Sequence, residues 1–234
     1  MEVLHHLKES LLHLVFPHVC EGCGTDVLQS DHALCLQCIV ALPETRFHLY
    51  KDNPVEKIFW GRVPLVHATA QYYFTKESIM QRLMHSFKYR GDKELGFYLG
   101  RLMGRAITAS HYYASIDALV PLPLHPSKER RRGFNQAAIL CQGLSIEMSI
   151  PVIEDAVSRP GRTETQTKKN RVARWQNMEG RFEVHSTSGL EGRHLLLVDD
   201  VVTTGATLEA CATELLKIPG VSVSIATLCF SSSS

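Results

Sequence analysis

An α/β fold with a mostly parallel sheet, preceded by a small four-cysteine segment, is what this sequence predicts, on two observations. From about residue 67 onward, strand-like apolar runs alternate with segments of helical periodicity, the order that builds a parallel sheet flanked by helices. Ahead of them stand two Cys-x-x-Cys pairs, Cys20 with Cys23 and Cys35 with Cys38, with eleven residues between the pairs. A length of 234 residues suits one sizeable core with such an appendage. A formal net charge of +1 makes no claim about nucleic acid or membrane, so any basic site must be local. No run approaches the ~18 apolar residues of a membrane helix.

In chain order, the first element is "MEVLHHLKESLLHLVF". Its Leu4, Leu7, Leu11 and Leu14 have helical spacing, interrupted by Lys8 and Glu9, and no small-residue cleavage site follows. An amphipathic helix packed on the domain is expected, not a signal peptide, and cytoplasmic residence is the default. Next, each Cys-x-x-Cys pair can place two thiolates on one tetrahedral metal ion, with Gly22 and Gly24 permitting the tight turn. The spacer is short for a zinc ribbon, and His18 and His32 stand nearby as substitute ligands. A disulfide pair or redox-active thiols are the competing readings. Four thiolates leave no open coordination position, so structural zinc is the expectation. Cys141, Cys211 and Cys229 fall singly in apolar surroundings and read as core thiols.

Composition changes after "ALPETRF", and residues 46–66 carry Pro54, Gly61 and Pro64. The division expected is residues 1–45 for the helix and cysteine segment and 46–234 for the α/β domain. Strands are predicted at 67–74, 117–124, 193–200 and 222–230, with a short one at "FEV"; helices at 76–89, 93–107, 135–148 and 203–217. Gly96, Gly100 and Gly104 make a smooth stripe on the second helix. No dinucleotide fingerprint and no phosphate-loop Gly-Lys-Ser/Thr sequence occurs.

The chemistry concentrates in "HLLLVDDVVTTGATLEA", residues 194–210. Leu195 to Val198 suit a central strand covered on both faces, and Asp199 and Asp200 mark where it emerges. Adjacent strand residues point to opposite faces, which separates the two charges. Thr203, Thr204, Gly205, Ala206 and Thr207 then open a helix, whose free amides and dipole form a phosphate-sized anion site. A ligand offering hydroxyls to the aspartates and a phosphate to the loop satisfies both halves, and a sugar 5-phosphate is such a ligand.

"LLLVDDVVTTGAT" resembles the phosphoribosyl pyrophosphate (PRPP) signature of type I phosphoribosyltransferases. The resemblance implies that fold, with Asp199 and Asp200 on the ribose hydroxyls and Thr203 to Thr207 on the 5-phosphate. "PLPLHPSKERRRGFNQA" (121–137) resembles the Arg-Gly-Phe-Asn-Gln motif of the ComF family, competence-associated proteins with a phosphoribosyltransferase fold. It implies a pyrophosphate-binding strand-end loop with His125, Lys128, Arg130, Arg131, Arg132, Gly133 and Asn135. "RTETQTKKNRVARWQNMEGRFEV" (162–184) is similar to that family's flexible loop, through Thr163, Gln166, Arg174, Asn177 and Phe182. Lys168, Lys169 and Arg171 make the loop basic, and Trp175 is either a stacking surface or a core residue. The four-cysteine segment is also a feature of that family.

The resemblance implies magnesium-dependent PRPP binding and the handling of single-stranded DNA in DNA uptake, with competence proteins as partners. The alternative is a catalytic phosphoribosyltransferase acting on a base or amine. There the aspartates would favour positive charge developing on the ribose while magnesium and the 125–132 loop hold the leaving pyrophosphate. Nothing in the sequence spells out an acceptor pocket.

Overall fold

The computed structural model describes residues 19–26, 32–160, 182–185 and 189–231. The expected N-terminal helix, His18 and the 162–180 loop with Gln166, Lys168, Arg171, Arg174, Trp175 and Asn177 lie outside the described residues. Four strands form one parallel sheet in the order β1 (Ala68–Tyr73), β6 (Ser222–Phe230), β5 (His194–Val202), β2 (Ala118–Pro121). A separate antiparallel pair joins β3 (Val157–Ser158) to β4 (Glu183–Val184). The helices are α1 (Leu36–Val40), α2 (Pro54–Phe59), α3 (Ile79–His85), α4 (Lys93–Thr108), α5 (Pro126–Arg132), α6 (Gln136–Met148) and α7 (Ala206–Leu215). A π-helical turn, Ser86–Arg90, prolongs α3.

β5 is central because it is apolar on both faces, and its residues divide between two cores. Leu196 and Val198 join Leu99 and Met103 of α4 and Leu140 and Leu144 of α6. Leu195 and Leu197 join Leu208, Cys211 and Leu215 of α7, with Val55 and Phe59 of α2. Residues 46–66, for which the sequence predicts no element, supply Phe47, Val55, Phe59 and Val63 to the core beneath β5. Asn53 anchors that stretch. Its Oδ1 accepts from the Val55 and Glu56 amides, capping α2, while its Nδ2 donates to the Ala68 carbonyl of β1 at 2.8 Å.

The glycine stripe does what its spacing predicts. A methyl at Gly104 would lie 2.8 Å from Glu147 Cβ, and one at Gly100 would run into the Leu140 carbonyl, so α4 and α6 meet backbone to backbone. Gly143 of α6 makes the reciprocal approach to the Phe97 carbonyl.

β5 runs two residues beyond the predicted end, because Val201 and Val202 stay in register with Cys229 and Phe230 of β6. The aspartates thus sit inside the last turns of the pleat. The basic run, expected as a loop, is the short helix α5. His125 caps it by accepting the Ser127 amide, Pro126 takes its first position, and Gly133 stops it at φ 81°.

Candidate functional site

The site is built where β5 leaves the sheet. Strand alternation places Asp199 on the face covered by α7 and Asp200 on the face covered by α4 and α6. Asp199 Oδ1 accepts the Asp200 amide at 2.8 Å. Burial, and after it the charge of Asp200, pushes the Asp199 carboxyl up to about 8, against the opposing pulls of that amide, Lys88 and Arg132. Asp200 is instead paired, its Oδ2 lying 2.9 Å from Lys88 Nζ and 3.9 Å from an Arg132 guanidinium nitrogen.

Thr203 and Thr204 form an exposed bend, and Gly205 turns the chain into α7 at φ 72°. Only glycine fits there: besides the positive φ, a methyl would come within 2.7 Å of Ile58 Cγ2 and Phe59 Cε1. Arg62 fixes the bend from outside, donating to the Thr204 carbonyl at 2.9 Å and pairing with Glu209. The opening amides of α7, at Ala206, Thr207 and Leu208, have no acceptor within the helix and point out of its N-terminus.

Of the residues expected in the basic loop, the structure brings Arg132 alone to the aspartates. Its guanidinium donates to Gln136 Oε1 at 2.7 Å and stacks over the Tyr89 ring at 6.0 Å. Lys128, Arg130 and Arg131 are exposed on α5. His125 caps α5. Asn135 caps α6 by accepting the Ala137 amide, and its Nδ2 donates to the Leu122 carbonyl at the end of β2. His125 is thus engaged in capping the basic helix α5, and Asn135 in capping α6 and tying its start to the end of β2.

Lys88 went unnoticed in the sequence. It lies on the π-helical turn, past the point where the apolar periodicity of α3 ends at Phe87, and its partner is remote in the chain. The available signal was Lys88 and Arg90 flanking Tyr89 immediately before Gly91, which sits at φ 75°.

The four cysteines converge. Their sulfurs lie within 4.8 Å of one another, with Cys23 and Cys35 at 3.7 Å, so they could hold a metal ion. For Cys20, burial alone would raise the thiol, yet the Cys35, Cys23 and Gly22 amides bring it down to about 6. His32, the substitute ligand, lies against the Tyr98 ring. The segment is braced against the π-helical turn: Ser86 Oγ donates to Glu21 at 3.3 Å, and Arg82 donates to the Gly22 carbonyl at 3.2 Å. Cys141, Cys211 and Cys229 are buried, and that burial pushes each thiol up.

Among the described residues no helix is long and apolar enough to cross a membrane. Comparison with known proteins gives a consistent assignment. The model of the phosphoribosyl transferase domain family matches residues 130–234. The chain is 31% identical to DNA utilization protein YhgH of Escherichia coli, over 90% of this chain and 89% of that one. It is 32% identical to competence protein ComFC of Bacillus subtilis, over 89% and 75% respectively. Among solved structures, the glutamine PRPP amidotransferase of B. subtilis overlays with a TM-score of 0.39 at 17% identity, covering 56% of this chain and 25% of that chain.

Proposed function

The chain belongs to the ComF family of competence and DNA utilization proteins, with a type I phosphoribosyltransferase fold, and from that premise we propose that it binds magnesium PRPP and handles single-stranded DNA. One observation carries the ligand reading: a carboxylate pair lies near the end of a buried strand, and a glycine-initiated helix N-terminus follows within six residues. The carboxylates suit ribose hydroxyls and the α7 amides suit the 5-phosphate. Magnesium, a hard cation, would arrive on the ligand's diphosphate oxygens.

The nucleic-acid reading rests on surface chemistry beside that site. Lys128, Arg130 and Arg131 project from α5, and Tyr89, 62% exposed, offers a ring face for a base. The metal is proposed as zinc: four ligands at Zn–S of about 2.3 Å stand about 3.8 Å apart, close to the Cys23–Cys35 distance. Such a segment, too small to bury much apolar surface, is stabilised by the ion.

Calorimetry with PRPP and magnesium tests the ligand. The wild type should bind, the Asp199→Asn, Asp200→Asn double variant should not, and equal affinity overturns the assignment. A single-stranded oligonucleotide titration across salt tests the DNA reading. Affinity should fall steeply with salt, and Arg130→Ala with Arg131→Ala should flatten the slope by about 1.4, at about 0.7 per single-strand phosphate contact. Absence of binding at low salt removes the DNA role, and pyrophosphate release with any base or amine would assign a transferase instead.

A further inference from the structure

We infer that the groove between the four-cysteine segment and α3 carries a single-stranded nucleic acid onward from α5, with Arg82 and Arg90 on its phosphates and His85 and Tyr89 against its bases. This rests on the single-strand reading above and gives that strand a course over the surface. The groove has a volume of about 360 Å³, with Glu21 and Gly22 on one wall and Arg82, His85 and Arg90 on the other. Its walls are fixed to each other. Arg82 donates to the Gly22 carbonyl at 3.2 Å, and a methyl at Gly22 would lie 3.1 Å from Ile79 Cδ1 of α3.

The cations of the groove are not neutralised. Among the described residues Arg90 is exposed with no ion-pair partner, and the exposed Arg82 donates to a neutral carbonyl, which leaves its charge uncompensated. Glu21, the groove's carboxylate, accepts from Ser86 at 3.3 Å and pairs with neither arginine. Tyr89 joins the groove to α5. Its ring lies 5.1 Å from the His85 ring on the groove side and 6.0 Å from the Arg132 guanidinium at the end of α5, yet it stays 62% exposed. In a chain of formal net charge +1, this course gathers Arg82, Arg90, Lys128, Arg130 and Arg131 against Glu21 and Glu129. Cations that follow one another with rings between them suit a chain of phosphates and bases, whereas a compact anion needs donors that converge.

The backbone is shaped to the same end. Arg82, His85 and Tyr89 stand three and four residues apart, which sets them along one side of α3 and its π-helical extension. Within that extension Phe87 stays fully buried in the core while Tyr89 and Arg90 face out. Turns of this type are rare and concentrate at functional sites. Gly91, at φ 75°, ends the turn directly after Arg90.

Fluorescence anisotropy of the full chain with a labelled oligodeoxythymidylate, titrated across salt, tests this. Arg90→Gln should weaken binding and flatten the slope of log affinity against log salt by about 0.7, the share of one single-strand phosphate contact. Tyr89→Ala should weaken binding roughly tenfold at every salt concentration and leave the slope alone, while Tyr89→Phe, which keeps the ring, stays near wild type. Lys217→Gln, at an exposed cation beyond the end of α7, should leave affinity and slope unchanged. Thermal melts establish that the variants are folded. If Arg90→Gln matches the wild type in slope while Arg130→Ala with Arg131→Ala flattens it, the groove is overturned and the single-strand reading stands. Equal flattening by Arg90→Gln and Lys217→Gln likewise overturns the groove. A wild type that binds no oligonucleotide at low salt overturns the groove and the single-strand reading together.

Discussion

Asp199→Asn should stabilise the protein increasingly as pH rises. Asp199 titrates from an ordinary value of 3.8 up to about 8 because of burial and the Asp200 charge. Between those limits the folded chain holds a proton that the unfolded chain has released. The unfolded state therefore binds fewer protons, and stability falls with rising pH, by at most about 1.4 kcal/mol per pH unit for a full proton. Between pH 5 and pH 7 the ceiling is about 3 kcal/mol, and roughly 1–2 kcal/mol is expected because the pair shares its charge. Asparagine keeps the shape and the Oδ1 acceptor that meets the Asp200 amide, and cannot ionise. His48 and His194 are held below their usual range by burial, which makes absolute stability rise through pH 6.5. They are common to both proteins and cancel in the difference. Urea unfolding at pH 5, 6, 7 and 8 gives the variant-minus-wild-type difference, which should grow with pH. A difference that stays constant or shrinks would refute the reasoning.

Two structural predictions accompany it. Cys35→Ser removes a sulfur 3.7 Å from Cys23 and should abolish binding of about one metal equivalent per chain, read by elemental analysis; retained metal would contradict the four-sulfur site. Gly143→Ala would set a methyl into the Phe97 carbonyl and 2.7 Å from the Arg101 amide nitrogen, and should cost about 1–3 kcal/mol in urea unfolding. An unchanged midpoint would mean the two helices cross with room to spare.

Legibility followed the range of each signal. β6 was readable to its ends because it is an unbroken β-rich run, covered on both faces. β5 was cut short because Asp199 and Asp200 imply solvent, whereas the register with β6 carries Val201 and Val202 onward. The basic segment hid its helix: α5 buries no side chain, so no apolar period exists to detect, and only Pro126 and Gly133 bounded it. The carboxylates and the turn from Thr203 to Thr207 were visible as one contiguous motif. Lys88 was not, since its place in the site depends on a turn geometry and a partner that no local pattern encodes. The role of residues 46–66 was likewise concealed, because Asn53 organises them through hydrogen bonds to distant carbonyls.

The brace between Glu21, Gly22 and the turn bearing Lys88 has a thermodynamic side. Ser86, held by Glu21, stands two residues before Lys88, and Arg82, held by Gly22, lies one helical turn earlier. The cysteine knuckle and the carboxylate pair proposed to hold the sugar are thus linked through one strut. Were an ion at one end to change the affinity for a ligand at the other, reciprocity would require the ligand to change the ion's affinity by the same factor.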